Sequence, residues 1–91
     1  MTSYAEFSEA LDTLSAAEAF EASVAIEAAA GQHMVASSVA TMLLNAAVKG
    51  GEQRLDQGRV DRAVEVVTKS TVLEVAEFMS LLRKQPRYRV S

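Results

Sequence analysis

The amino-acid sequence predicts an all-α protein of three to four helices, and three observations support this class. Sixteen of the 91 residues are alanine, the best helix former, whereas only four are glycine and one is proline. Apolar side chains recur at steps of three and four residues along most of the chain. Serines followed three positions later by glutamate give the capping-box pattern that begins helices. The length fits one domain with a small core, which a partner would enlarge.

Two short acidic helices are expected in the first third of the chain. Ser3 precedes Glu6 by three positions and Ser15 precedes Glu18 by three, so each pair marks a helix start. An apolar stripe lies between the two starts: Tyr4, Phe7, Leu11 and Leu14. The first helix should therefore bury this stripe and expose its acidic residues.

The second helix is not a simple continuation of the first. In an unbroken helix, Phe20 and Val24 would lie on nearly the opposite side from the apolar stripe. We therefore expect a break near Ser15. The second helix then covers residues 16–30, which include eight alanines, and Gly31 is its expected end.

The middle of the chain, residues 28–48, has 21 consecutive residues without a side chain that is ionised at neutral pH. A helix is expected over about 32–49, and it should end at Gly50 and Gly51 because glycine readily adopts positive φ. Its apolar residues include Val35, Val39, Met42, Leu43 and Ala46. A helix that is apolar over more than half its circumference must be covered on more than one side.

The last helix is expected over about 59–84, before Pro86 interrupts the chain. One face carries Val60, Val64, Val67, Thr71, Val75, Phe78 and Leu82 at steps of three and four. A strand is the alternative because six of the residues in 60–75 are valine, but adjacent valines at 66 and 67 break the two-residue period. The predicted architecture is a helical hairpin of 32–49 against 59–84, within a domain over 1–85, followed by a basic tail over 86–91.

Catalysis, a cofactor and a metal ion are not expected. The chain has no cysteine and His33 is its only histidine, so the usual ligands cannot complete a metal site. Glu18 with Glu21, and Glu74 with Glu77, are spaced like acid and base pairs, but such pairs on amphipathic helices are usually solvated. We expect a non-enzymatic protein. His33 is expected to be a partly exposed residue at a helical bend, and the alternative is that it forms a pH-dependent contact within an interface.

Charge distribution favours a protein that acts through protein–protein contact. Residues 1–48 carry six acidic side chains and no cation, a net charge of −6, whereas residues 49–91 carry nine cations and six acids, a net charge of +3. Opposed ends of neighbouring copies would attract each other and set their orientation. We expect a self-associating structural, filament or assembly subunit. The residues expected to line its interface are Val35, Val39, Met42, Leu43, Ala46, Val64, Val67, Val75, Phe78 and Leu82.

Two other functions are retained as alternatives. The first is a small helical adaptor, chaperone or inhibitor that offers its last helix to a different protein. The other is a nucleic-acid-associated regulator, which ranks third, below the self-associating subunit and the adaptor. It would use the basic residues Arg83, Lys84, Arg87 and Arg89, but the net charge of −3 disfavours it.

The expected location is cytoplasmic, or outside the cell by a route that needs no signal peptide. Glu6, Glu9 and Asp12 precede the first long apolar run, which is the reverse of a secretory signal. A membrane span is also disfavoured, because Ser38 and Asn45 are among the polar residues that interrupt the uncharged stretch.

Overall fold

The chain folds into five α-helices and one short 3₁₀ helix in the computed structural model, which describes residues 2–30 and 34–89. The helices are α1 (Tyr4–Asp12), α2 (Ala16–Ala30), α3 (Met34–Val48), α4 (Gln57–Lys69) and α5 (Val72–Leu82), and the 3₁₀ helix is Pro86–Tyr88. These ranges contain no strand, so the all-α prediction is confirmed with more helices than expected. Gly31 and His33, which the sequence singled out, lie outside the described residues.

Both predicted starts are present at α1 and α2. The Ser3 hydroxyl accepts a hydrogen bond from the Glu6 N–H at 3.1 Å and so caps α1. α1 ends at Asp12, and the predicted break near Ser15 is confirmed. Ser15 and Glu18 then form a complete capping box: the Glu18 N–H donates to Ser15 Oγ at 3.1 Å, and the Ser15 N–H donates to Glu18 Oε1 at 2.8 Å.

Helix α3 packs chiefly against α2, which corrects the predicted hairpin of 32–49 against 59–84. The buried side of α2 carries small side chains, including Ala19 and Ala22, and these let the backbone of α3 approach closely. Contacts of α3 with α4 and α5 are present but fewer. As predicted, α3 stops before Gly50 and Gly51, whose φ angles of 81° and 134° require glycine.

The predicted helix over 59–84 is two helices, α4 and α5, and the prediction of one continuous helix was wrong. The Glu74 N–H donates to Thr71 Oγ1 at 3.1 Å, and the Thr71 N–H donates to Glu74 Oε1 at 2.8 Å. This second complete capping box begins α5, while Ser70 is extended and its hydroxyl donates to Val66 O at 2.7 Å. Because the helix is interrupted, α4 contacts α1 and α2 while α5 contacts α1 and α3.

One hydrophobic core joins the five helices that the described ranges contain. Its fully buried large side chains include Phe7, Leu11, Ile26, Leu43 and Leu82. The Phe78 ring lies 5.1 Å from the Phe7 ring and 5.7 Å from the Tyr4 ring, measured between centroids. These aromatic contacts anchor α5 on α1.

Residues 86–89, which the sequence assigned to a basic tail, pack against the ends of α1 and α3. Tyr88 is buried, and its hydroxyl donates to Asp12 Oδ1 at 2.5 Å. Lys49 Nζ donates to Pro86 O at 2.6 Å. The 3₁₀ helix therefore ties the end of α1 to the end of α3.

Candidate interaction surface

Glu18 is the one buried charged side chain among the described residues, with an exposed fraction of 0%. Its Oε1 accepts from the Ser15 N–H and its Oε2 from the Asp56 N–H, both at 2.8 Å, and Arg54 Nε lies 3.5 Å from Oε1. Burial is the largest influence and opposes ionisation. The two N–H donors and Arg54 outweigh it and hold the pKa of Glu18 below its ordinary value of 4.5. A carboxylate with both oxygens occupied is suited to holding structure, not to transferring protons.

The connector between α3 and α4 is attached to the start of α2 around Glu18. Three further hydrogen bonds join the two segments: the Ala16 N–H to Glu52 O at 2.9 Å, Ser15 Oγ to Arg54 O, and Arg54 Nη2 to Thr13 O at 2.7 Å. We call these bonds and the two bonds accepted by Glu18 the Glu18 latch. The latch fixes how α4 leaves the α2–α3 pair.

The ten residues that the sequence assigned to an interface lie in or beside the core of their own chain. Eight are buried: Val39, Met42, Leu43, Ala46, Val67, Val75, Phe78 and Leu82. Val35 and Val64 are half-buried and pack against that core. Because α2 packs on α3 and α1 packs on α5, these apolar stripes are covered mainly within one chain, and Met42 alone among the eight buried residues also lines one of the grooves described below.

An exposed apolar groove of about 600 Å³ lies between α2 and α3. Phe20, Val24 and Leu44 contribute to it and are 49%, 53% and 40% exposed. The described residues that line it are Phe20, Ser23, Val24, Glu27, Ala28, Ala40, Thr41 and Leu44. A neighbouring groove shares Phe20 and Leu44 and continues the apolar surface to the exposed Val48 and Leu55. We call the groove of about 600 Å³, to which Phe20, Val24 and Leu44 contribute, the α2–α3 groove. Contiguous exposed apolar surface of this kind is typical of interaction sites.

A second groove, of about 480 Å³, lies on the other side of α3. Its lining is Ser38, Thr41, Met42, Asn45, Arg83, Tyr88 and Arg89. These described residues include two arginines and no carboxylate, and we call this surface the basic groove. Thr41 lines both grooves, so α3 forms the ridge between them. One side of the ridge is therefore apolar with an acidic edge, and the other is polar and basic.

The four basic residues near the C-terminus have different environments. Arg87 Nη1 donates to Asp12 O at 2.7 Å and its Nη2 donates to Leu14 O, so Arg87 satisfies one carbonyl group at the end of α1 and one just after it. Arg83, Lys84 and Arg89 are exposed. The predicted strip of four cations is thus reduced to three exposed ones, which weakens the case for nucleic-acid binding.

The carboxylate pairs do not form an acid–base site. Glu18 is buried in its latch, whereas Glu21 is exposed. The Thr71 N–H bonds to Glu74 and lowers the pKa of that carboxyl, which caps α5. Within 2–30 and 34–89 there is no group of three or more potential metal-ligating side chains, and none of the helices there has the length and apolar content to cross a membrane.

Phe20 and Val24 are the surface residues whose exposure the sequence analysis missed. The sequence placed both on the side of the second helix opposite the first apolar stripe but did not indicate whether that side is covered. In the structure Ile26 is buried with the alanines that face α3, while Phe20 and Val24 point away from the core. Their spacing of four, and Ala28 four further on, is the signal for a separate exposed face.

No protein family model matches this chain, and neither a curated protein nor a solved structure matches it. The two grooves meet at Thr41 and present apolar, acidic and basic groups side by side.

Proposed function

We propose that the protein is a non-enzymatic helical subunit that binds a second copy of itself through the surface formed by α2 and α3. The observation that supports this function is the α2–α3 groove, in which Phe20, Val24 and Leu44 are each two-fifths or more exposed. Covering such side chains stabilises an association by about 25 cal/mol for each Å² of apolar surface removed from water. The buried residues first expected at the interface instead stabilise the subunit.

A second copy is the preferred occupant because the same surface carries both a groove and a ridge. The α3 ridge lies beside the α2–α3 groove, so the ridge of one copy can fit the groove of another. Residues 34–48 contain no ionisable side chain. Two α3 helices can therefore approach each other without burying a charge, which would be costly.

The mass of the purified protein in solution tests this function. Sedimentation velocity from low micromolar to millimolar concentration should show mass increasing beyond one copy. The variant Val24→Lys should remain monomeric, because it places a charge in the groove. It should also keep α2 folded, since Glu21 and Glu27 lie three residues away on either side.

Leu73→Lys is the matched control for this experiment. Leu73 is an exposed residue of α5, and Glu77 lies one turn further on, so the new charge meets a similar local setting away from the groove. We expect this variant to associate like the wild type. A wild-type protein that stays monomeric at millimolar concentration would reject self-association and leave the groove to a different protein, such as one presenting an apolar helix.

A further inference from the structure

We propose that the two copies pair about a two-fold axis parallel to α3, which places Glu27 of each copy against Arg83 and Arg89 of the other. This inference rests on the self-association proposed above and names the geometry of the contact. It concerns the α2–α3 groove, the α3 ridge and the basic groove together.

The order of features across the surface is the first step. Glu27 lines the α2–α3 groove, and Ser37 Oγ donates to Glu27 Oε1 at 3.3 Å, so this carboxylate lies beside the first half of α3. The basic groove, with Arg83 and Arg89, lies beyond the α3 ridge and begins at the neighbouring Ser38. The acid and the two arginines therefore line grooves on opposite sides of α3, and the two grooves overlap along the helix at Thr41.

Symmetry leaves two simple ways to pair this surface with itself. A two-fold axis parallel to α3 reverses the order in which α2, α3 and the basic groove follow one another across the surface. It keeps each residue at the same height along α3. When the α3 ridge of one copy then enters the α2–α3 groove of the other, α2 lies over the partner's basic groove. An axis perpendicular to α3 keeps the order, so α2 faces α2 and the basic groove faces itself.

Charge favours the parallel axis. α2 carries Glu18, Glu21 and Glu27 and no cation, and Glu21 and Glu27 are exposed. The opposite flank exposes Arg83 and Arg89. The perpendicular axis would oppose acid to acid and arginine to arginine, whereas the parallel axis opposes acid to arginine on both sides of the pair. Such complementarity mainly selects orientation, while the apolar groove supplies affinity.

Charge reversal distinguishes the two axes. With the parallel axis, Glu27→Arg should weaken self-association about tenfold or more, and so should the double variant Arg83→Glu/Arg89→Glu, since each opposes like charges. Combining all three substitutions in one chain should restore association to near the wild-type constant. With the perpendicular axis, α2 faces α2 and the basic groove faces itself, so neither Glu27→Arg nor the double variant would weaken association.

The controls separate this inference from the proposed function. Asp61→Arg makes the same charge change on the exposed surface of α4 and should leave association unchanged. Circular dichroism should show wild-type helix content in every variant. If the wild type associates and Val24→Lys abolishes association but the charge reversals do not weaken it, the parallel axis is overturned while self-association stands. If the wild type does not associate, both proposals are rejected.

Discussion

The carboxylate of Glu18 accepts a hydrogen bond at 2.8 Å from the backbone N–H of Asp56, 38 residues further along the chain. Its other oxygen accepts from Ser15, so one side chain caps α2 and also binds the connector that leads into α4. The side chain is fully buried, and water cannot replace it without a rearrangement. Its removal would leave the buried Ser15 N–H and the partly buried Asp56 N–H without their acceptors.

We expect Glu18→Gln to lower the free energy of unfolding by about 1–3 kcal/mol, because the amide has one acceptor oxygen where the carboxylate has two. Urea unfolding followed by circular dichroism at neutral pH measures the change. Glu21→Gln, on the exposed side of the same helix, should change stability by less than about 0.5 kcal/mol. Equal effects of the two substitutions would show that the latch does not stabilise the fold.

Acid should weaken the same latch. The pKa of Glu18 in the folded protein lies below its ordinary value of 4.5, so its contribution is fully present above that pH. As pH falls below 4.5, the unfolded chain takes up the proton first and the contribution is lost through the folded pKa. We expect the stability difference between wild type and Glu18→Gln to narrow over this range. A constant difference there would contradict the assigned protonation.

The start of α5 should depend on Thr71. Thr71→Ala removes the side chain that accepts from the Glu74 N–H, and we expect a loss of about 0.5–2 kcal/mol in unfolding free energy. Thr68→Ala is the control, since Thr68 lies on the exposed side of α4 and its hydroxyl only bonds back within that helix. Thermal or urea unfolding should show little change for the control. Similar losses in both variants would indicate that the capping box is not what stabilises α5.

Tyr88 should stabilise the C-terminal contact through its hydroxyl. Tyr88→Phe keeps the buried ring but removes the donor to the Asp12 carboxylate, and we expect a loss of about 1.5–3 kcal/mol. Tyr4→Phe, whose ring packs against Phe78, should cost less than about 0.5 kcal/mol. Urea unfolding measures the free energy of unfolding of both variants. A loss of stability in Tyr4→Phe but not in Tyr88→Phe would contradict a stabilising role for the Tyr88 hydroxyl.

Burial raises the pKa of Tyr88 above its ordinary value of 10.0, and the hydrogen bond to Asp12 adds to this effect. The stability that the protonated hydroxyl contributes is present below that pH and is lost as pH rises toward the folded pKa. The chain has two tyrosines, so the Tyr4→Phe variant retains Tyr88 alone. In that variant, phenolate absorbance should appear together with alkaline unfolding. Normal titration near 10.0 in the folded protein would contradict the buried hydrogen bond.

Arg87→Lys should loosen the end of α1. The guanidinium reaches Asp12 O and Leu14 O with two nitrogens, and a lysine ammonium cannot reproduce that fixed fork. We expect a loss of about 1–2 kcal/mol in unfolding free energy. Arg83→Lys, at an exposed position, should be nearly neutral. Equal stability of the Arg87→Lys variant and the wild type would show that the second donor contributes nothing.

Local signals in the sequence predicted many of the helix ends. The Ser15–Glu18 box and the Gly50-Gly51 stop act between neighbours in the chain, and both are present in the structure. The break at Thr71 was missed because the apolar face passes through that position without losing its period. Thr71 and Glu74 nevertheless have the capping-box spacing, a serine or threonine followed three residues later by glutamate.

Long-range partners could not be read from local patterns. The contact between Glu18 and Asp56 depends on how three intervening segments fold back, and no feature near either residue indicates it. The pairing of α3 with α2 depends on alanines whose small size matters only once a neighbouring helix is present. For the same reason the sequence assigned a buried stripe to the interface and overlooked the exposure of Phe20 and Val24.

The Glu18 latch closes the chain into a loop that begins at Ser15, contains α2 and α3, and ends at Asp56. Amide hydrogens of Ser15, Ala16 and Asp56 are all donors within this closure. Their hydrogen–deuterium exchange should therefore give one common free energy of opening, set by a single opening event, although they are far apart in sequence. The α2–α3 pair would then unfold as one cooperative unit, in which the hydrogen bonds of the Glu18 latch break before the two helices separate.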